Sequence, residues 1–432
     1  MIPERSSQDP RGRSPRGPRP ALAARVAGGL ALVSLALAPL ARAQGPHQLS
    51  LHEELVFPAG QDTASVPFQD VGGHIQVPVS VNGGGPFWMV FDTGMPSPGV
   101  LLYGSPRVDA LQLPYGEAQI RVGGAGGAGE ATAAKLAQDV TVKLGALAIT
   151  GTMAIVMPAK PEMSAVHEGI IGASLYRNAT ITVDRDRGVV RFTRLGRYQP
   201  PAGAAVVPLE LVGNHAYVQA GLVQDGGTLP LRLILDLGAT HAVSLNSHTN
   251  PAIHVPAGAR VARVGRGMSG VLRGRVGRIA GFELGGQRLA NVVATFPDSA
   301  FENPRGLDSR DGNLGSGILA RFELTLDYAN AKLYLRPARR FADAFEWDMS
   351  GVTFDPGPDG TPTVAEVIAD SPAGRAGISA GEQLVAVDGK PVQARSLMLM
   401  REQFKQPGRE IVLRLRKGGA ERDVKLKLQR LV

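Results

Sequence analysis

A chain of 432 residues, 44% hydrophobic and 19% charged, describes an ordinary globular protein of about three domains, each able to bury a core. The absence of cysteine excludes disulfides and thiol chemistry, so an exported form must be held together by its core alone. The formal charge of +8 shrinks once it is located: the first 43 residues hold seven Arg against one Glu and one Asp, so their removal leaves +3, which gives no reason to propose nucleic acid as a partner.

Those first 43 residues read as a signal peptide. Residues 1–25 are rich in Arg, Pro and Ser, an apolar run follows from Val26 to Leu40, and Ala41-Arg42-Ala43 supplies a small-x-small cleavage site before Gln44. The apolar run is too short to span a bilayer comfortably. The expectation is a periplasmic or secreted mature protein with no stable membrane span after cleavage. Residues 44–69 carry no pattern that separates a strand from a tether.

From there the chain is one unit written twice. The 55 Gly and 32 Pro, set between short Val/Ile/Leu runs, predict strands and turns. Pro86-Phe87-Trp88-Met89-Val90-Phe91-Asp92-Thr93-Gly94 reads as a buried strand ending in an acidic turn, and Pro230-Leu231-Arg232-Leu233-Ile234-Leu235-Asp236-Leu237-Gly238 reads the same way. Asp92 precedes Gly172 of Gly169-Ile170-Ile171-Gly172 by 80 residues, and Asp236 precedes Gly315 of Gly312-Asn313-Leu314-Gly315 by 79. Twelve residues after each of those glycines stands an aspartate, Asp184 or Asp327, inside an alternating strand–turn–strand pattern. These landmarks predict duplicated β-rich lobes over 70–197 and 205–338, joined by Pro200-Pro201-Ala202-Gly203. Between its landmarks each lobe has a glycine-rich hairpin, Val122–Gly129 and Val264–Gly270, suited to a moving flap over a cleft or to a plain surface hairpin.

After residue 338 the texture changes. Ser371-Pro372-Ala373-Gly374-Arg375-Ala376-Gly377, then Gly381 through Val392 with Asp388-Gly389 inside it, an amphipathic stretch near 396–404 and two closing strand-like runs mark a separate module over 345–430.

The paired acidic turns carry the chemistry. Two carboxylates about 3 Å apart cannot both ionise, so one keeps a proton while the other stays charged. The charged one can take a proton from water, and the protonated one can donate to a carbonyl oxygen under attack. A lone Asp at a turn is as readily a cap for its own backbone; two in register within a repeat point to a dyad.

Phe91-Asp92-Thr93-Gly94 and Asp236-Leu237-Gly238-Ala239-Thr240, each followed by its distant glycine, resemble retropepsin-like, pepsin-type bilobal aspartic peptidases. The resemblance covers residues 70–338. It implies a mainly β fold of two tandem retropepsin-like β-barrel lobes, a peptide-binding cleft between them, catalysis by Asp92 and Asp236, and loop support from Thr93, Gly94, Leu237, Gly238, Gly172 and Gly315. No metal or other cofactor is implied. Leu237 departs from the pattern, since a Thr or Ser usually follows each Asp and bonds to the opposite loop. Met95 and Ala239 also lack the hydroxyl that donates to the carboxylate in pepsin-like enzymes, so the dyad is expected to titrate higher than in acid proteases. The C-terminal segment resembles a small α+β PDZ domain. That implies a carboxylate-receiving loop at Met349, Ser350, Gly351 and Val352 and a C-terminal or internal peptide added as a strand beside the helix near 397–404.

Other signals are weaker. Gly265-x-Gly267-x-x-Gly270 lacks the helix and acidic residue of a dinucleotide site. Arg260, Arg263, Arg266, Arg273, Arg275 and Arg278 read as a solvated face or a preference for acidic substrates. His241, His248 and His254 lack the carboxylate or Cys that would complete a metal set, so they read as surface or core histidines. Gly312–Gly317 faintly resembles a serine nucleophile loop, without the His and Asp partners. The reading is therefore an aspartic endopeptidase acting on a polypeptide, with a peptide-recruiting or regulatory PDZ module. The alternative is a degenerate adaptor that binds peptides without cutting.

Overall fold

Strand-forming runs punctuated by Gly and Pro become four β-sheets in the computed structural model, which describes residues 52–123, 131–267, 270–298, 309–357 and 359–432. The fold is mainly β. Alternation of apolar residues decides which face each strand buries; the apolar Val100–Tyr103 is buried along its whole length, and so is the alternating Ala179–Asp184, whose polar residues Thr180, Thr182 and Asp184 are covered as well.

The first sheet has nine strands and the second eight. Both are built around the same three neighbours. In the first, Gly84–Phe91 runs parallel to Gly169–Ile171, which is antiparallel to Val100–Tyr103. In the second, Gly227–Asp236 runs parallel to Gly312–Gly315, which is antiparallel to Val243–Leu245. The sequence repeat is thus a repeat of topology.

A third sheet of six strands sews the two repeats together. The predicted hairpins Ala179–Asp184/Val189–Arg194 and Phe322–Asp327/Lys332–Pro337 both form, and their first strands pair antiparallel to one another. Thr182 and Thr325, which hold equivalent positions in the two repeats, face each other with hydroxyls 2.8 Å apart. Residues 54–56 and 63–67 are strands rather than a tether: the first pairs with Ala148–Thr150 and the second closes the third sheet against Val189–Thr193. A continuous apolar cluster runs through all three sheets, with Phe87, Phe91, Phe192, Phe282 and Phe322 among its fully buried members. Each such ring contributes about 1.5–3 kcal/mol relative to solvent exposure, and this burial does the work that disulfides do elsewhere.

The fourth sheet, Val352–Pro356, Pro362–Val367, Gln383–Val387, Glu410–Lys417 and Ala420–Lys427 with the short Lys390–Pro391, has its own apolar cluster and the helix Ala394–Met400. Arg321 braces the segment leading into it, with its guanidinium on the carbonyls of Arg340, Phe341, Asp343 and Ala344 and stacked 3.5 Å over the Phe345 ring.

The arginine cluster is neither a solvated face nor an open acidic-substrate site, because most of it docks this fourth sheet. Arg263 and Arg266 share Asp355, Arg273 pairs with Glu366, and Arg278 pairs with Glu346. Arg260 donates to the Leu431 carbonyl and Arg278 to that of Val432. The helix Ala394–Met400 is tied to the first repeat instead, where Arg395 reaches Gln76, Gln69 and the Val166 carbonyl.

Candidate active site

Each Asp loop begins where an apolar strand runs out of partners. Asp92 follows Gly84–Phe91 and its amide still donates to Ile171 O at 2.9 Å, while Asp236 is the last residue of its strand, paired with Gly315. Glycine is required beneath both loops. A Cβ on Gly172 would stand 2.4 Å from Asp92 O and 2.8 Å from Met95 O, and one on Gly315 would stand 2.2 Å from His241 O. The loops therefore rest directly on the backbone of the parallel glycine strand.

The two carboxyls meet between the loops. A Cβ on Gly94 would lie 3.0 Å from Oδ1 of both Asp92 and Asp236, and one on Gly238 would fall within 2.3–2.6 Å of the Asp92 carboxyl atoms. Both glycines are thus places where backbone of one loop passes against the carboxyl of the other. Burial, followed by the charge of Asp236, pushes the Asp92 carboxyl up to about 8, against the lowering effect of the Gly94 amide.

The donors around the two carboxyls differ. Asp92 Oδ1 accepts from Gly94 N at 2.6 Å. Asp236 Oδ1 accepts from Ala239 N at 3.0 Å, and its Oδ2 accepts from the Asn313 side-chain amide at 3.0 Å. Asn313 occupies the position that Ile170 holds in the first repeat. The first repeat thus has an apolar residue at the position from which the second sends an amide donor to its carboxyl.

Thr93 joins the loops. Its buried hydroxyl donates to Leu235 O at 2.9 Å and accepts from Leu237 N at 2.9 Å. Leu237 makes no reciprocal bond, and its fully buried side chain belongs to the main apolar cluster. Ser316 Oγ holds the Leu237 carbonyl at 2.9 Å, and the Tyr176 hydroxyl holds that of Met95 at 2.8 Å. The Met95 side chain packs with Leu101, Tyr103 and Ile170 in a satellite cluster beside Asp92.

Histidines that carried no role in the sequence reading lie close by. His241 has its Nε2 shielded without a partner, and burial lowers its proton affinity although Asp236 opposes this; His248 and His254 are exposed. His74 Nε2 lies 3.0 Å from Gly238 O, and its ring leads through His167 at 6.1 Å to Tyr103 at 5.5 Å. Burial holds His167 down at about 3. Among the described residues, no cluster of three His, Cys, Asp or Glu side chains is placed to hold a metal ion.

The flap candidates form hairpins. Residues 124–130 and 268–269, which include most of the predicted glycine-rich tips, lie outside the described residues. The second hairpin bears Arg263, Arg266 and Arg273, so it is fastened to the C-terminal module.

The expected open carboxylate receptor at residues 349–352 needs correction. All four residues are buried and their amides are already used. Met349 N donates to Phe404 O, Ser350 N to Asp348 Oδ1 at 2.9 Å and Val352 N to Ser350 Oγ at 3.2 Å, while Gly351 N also serves Asp348. An internal carboxylate stands where that of a ligand was expected. Gly351, at φ +75°, sits against Ser371 and Leu431 with no room for a side chain.

Residues 77–175, the stretch holding the first Asp loop and its glycine strand, match the family model described as aspartyl protease. Residues 349–428 match that of the PDZ domain. A comparison with curated proteins found no match. The chain thus carries an aspartyl protease domain and, at its C-terminus, a PDZ domain.

Proposed function

We propose that this protein is an exported aspartic endopeptidase whose catalytic dyad is Asp92 and Asp236, one from each of two lobes. The observation that carries the reading is the meeting of two carboxyls across a pseudo-symmetric pair of loops, where burial and the neighbouring Asp236 push the Asp92 carboxyl up to about 8. A water bound between them loses a proton to the Asp236 carboxylate as its oxygen bonds to the scissile carbonyl carbon. Asp92 gives its proton to the carbonyl oxygen. The tetrahedral intermediate then collapses: the C–N bond breaks, the amine nitrogen takes the proton from Asp236, and a hydroxyl proton of the intermediate returns to Asp92. The raised affinity of Asp92 supports activity that extends to neutral pH, because the acid form persists there.

Thr93, Gly94, Gly238, Gly172 and Gly315 shape the loops, and the substrate is an extended polypeptide in the cleft between the lobes. The PDZ module, docked on both repeats, acts as a regulator of that cleft or as a site for an internal segment of the substrate. Residues 1–43 are read as the export signal, with the mature chain beginning at Gln44. Among the described residues no helix is long and apolar enough to cross a membrane.

The test is cleavage of casein and a peptide library by the purified mature protein. Asp92→Asn and Asp236→Asn should each abolish cleavage while melting like the wild type or higher. A wild-type protein that binds peptides and never cuts them would replace this reading with the adaptor.

A further inference from the structure

Both repeats open with the same short turn. Val71-Gly72-Gly73-His74 heads the first, 18 residues before Asp92, and Val212-Gly213-Asn214-His215 heads the second, 21 residues before Asp236. Each turn reaches across to the Asp loop of the other repeat. Asn214 Nδ2 donates to Pro96 O at 2.6 Å, and Pro96 stands four residues after Asp92. A Cβ on Gly73 would lie 3.5 Å from Thr240, which stands four residues after Asp236, and His74 Nε2 lies 3.0 Å from Gly238 O.

We infer that these turns are reciprocal braces on the two Asp loops, and that His74 is the positioning residue of the second loop, adding a cross-repeat bond to a junction where Leu237 has no hydroxyl to contribute one. A carbonyl oxygen only accepts, so Nε2 carries the hydrogen and Nδ1 is the bare nitrogen, shielded and without a partner. Burial keeps the ring from gaining a second proton, although Asp70 and Asp236 favour it and Arg185 opposes it. His167, itself bonded through Nδ1 to Gly169 O at 3.1 Å, packs against the ring and limits its rotation.

The consequence runs through one residue, Gly238. Gly238 presents its carbonyl to His74 and its amide to the Asp92 carboxyl, where that hydrogen bond favours the ionised form. If the carbonyl loses its anchor, the amide drifts from Asp92. The catalytic consequence rests on the peptidase reading above, whereas the brace itself is measurable without it.

The experiment compares the full mature chain as wild type, His74→Phe, His74→Gln and His74→Asn. Gln places an amide nitrogen where Nε2 lies, and Asn is too short. With 13C-carboxyl-labelled aspartate, the titration assigned to Asp92 should move upward by about half a pH unit or more in Phe and Asn and stay near wild type in Gln. Turnover of a cleaved peptide should fall about tenfold in kcat for Phe and Asn, with KM within about twofold, and recover in Gln. Equal behaviour of Gln and Asn, or an unmoved Asp92 titration in both Phe and Asn, overturns the inference. If Phe does not fold, the Gln/Asn pair decides alone. A wild type that shows the titration pattern but cleaves nothing sinks the peptidase reading and leaves the brace standing.

Discussion

Thr93→Val isolates the junction between the Asp loops, because it replaces a hydroxyl with a methyl of nearly the same shape. The hydroxyl makes two buried bonds, to Leu235 O and from Leu237 N, both at 2.9 Å. Losing them leaves a buried carbonyl and a buried amide of the opposite loop unsatisfied, at about 1–3 kcal/mol for each group. The substitution should therefore cost on the order of 2–4 kcal/mol, within the span of one buried network broken at one point. The reverse repair should fail. Leu237→Thr adds a hydroxyl worth about 1 kcal/mol but removes a fully buried leucine from the main cluster, a loss of about 2 kcal/mol or more. Urea unfolding followed by a probe in the first two sheets measures both, since the PDZ sheet has a separate core and can unfold in its own transition. A Thr93→Val protein within about 0.5 kcal/mol of wild type would refute the claim that this hydroxyl clamps the loops.

Asp92 also makes stability fall with pH. Its folded-state affinity, at about 8, lies above the unfolded value, so the stabilisation is complete below pH 3.8 and is lost as pH rises through about 8. Asp92→Asn should accordingly raise Tm at pH 8 far more than at pH 4, as read by differential scanning fluorimetry. Asn313→Ile copies the first repeat onto the second and removes a side-chain donor to the Asp236 carboxyl, a donor that favours the ionised form, so the acid limb of the kcat profile should move to higher pH. Asp355→Ala removes the acceptor shared by Arg263 and Arg266, of which Arg263 is only 10% exposed. Thermal stability should fall by about 1–3 kcal/mol, more than for Glu366→Ala, whose partner Arg273 is 60% exposed and screened.

The chain alone determined the parts of this protein that depend on local pattern and on repetition. An apolar run ending in Asp-x-Gly, a glycine about eighty residues on, and an alternating hairpin after it are each short-range signals, and their recurrence in register marked the two Asp loops. The PDZ segment was legible for a similar reason, through its spacing of Ser-Pro-Ala and paired glycines. Tertiary structure decided what depends on pairing across the chain. Asn313 looks like an ordinary strand residue until Gly312–Gly315 pairs beside the Asp236 strand and aims its amide at the carboxyl. His74 stands 164 residues from Gly238, and only the sheet joining the repeats brings them together. The arginine cluster became a docking face because its acceptors lie in another module, and the 349–352 loop was already filled because Asp348 folds back onto its amides. Sequence periodicity reports which face of a strand is buried, but the partner of a charge or an amide follows from the packing of distant strands.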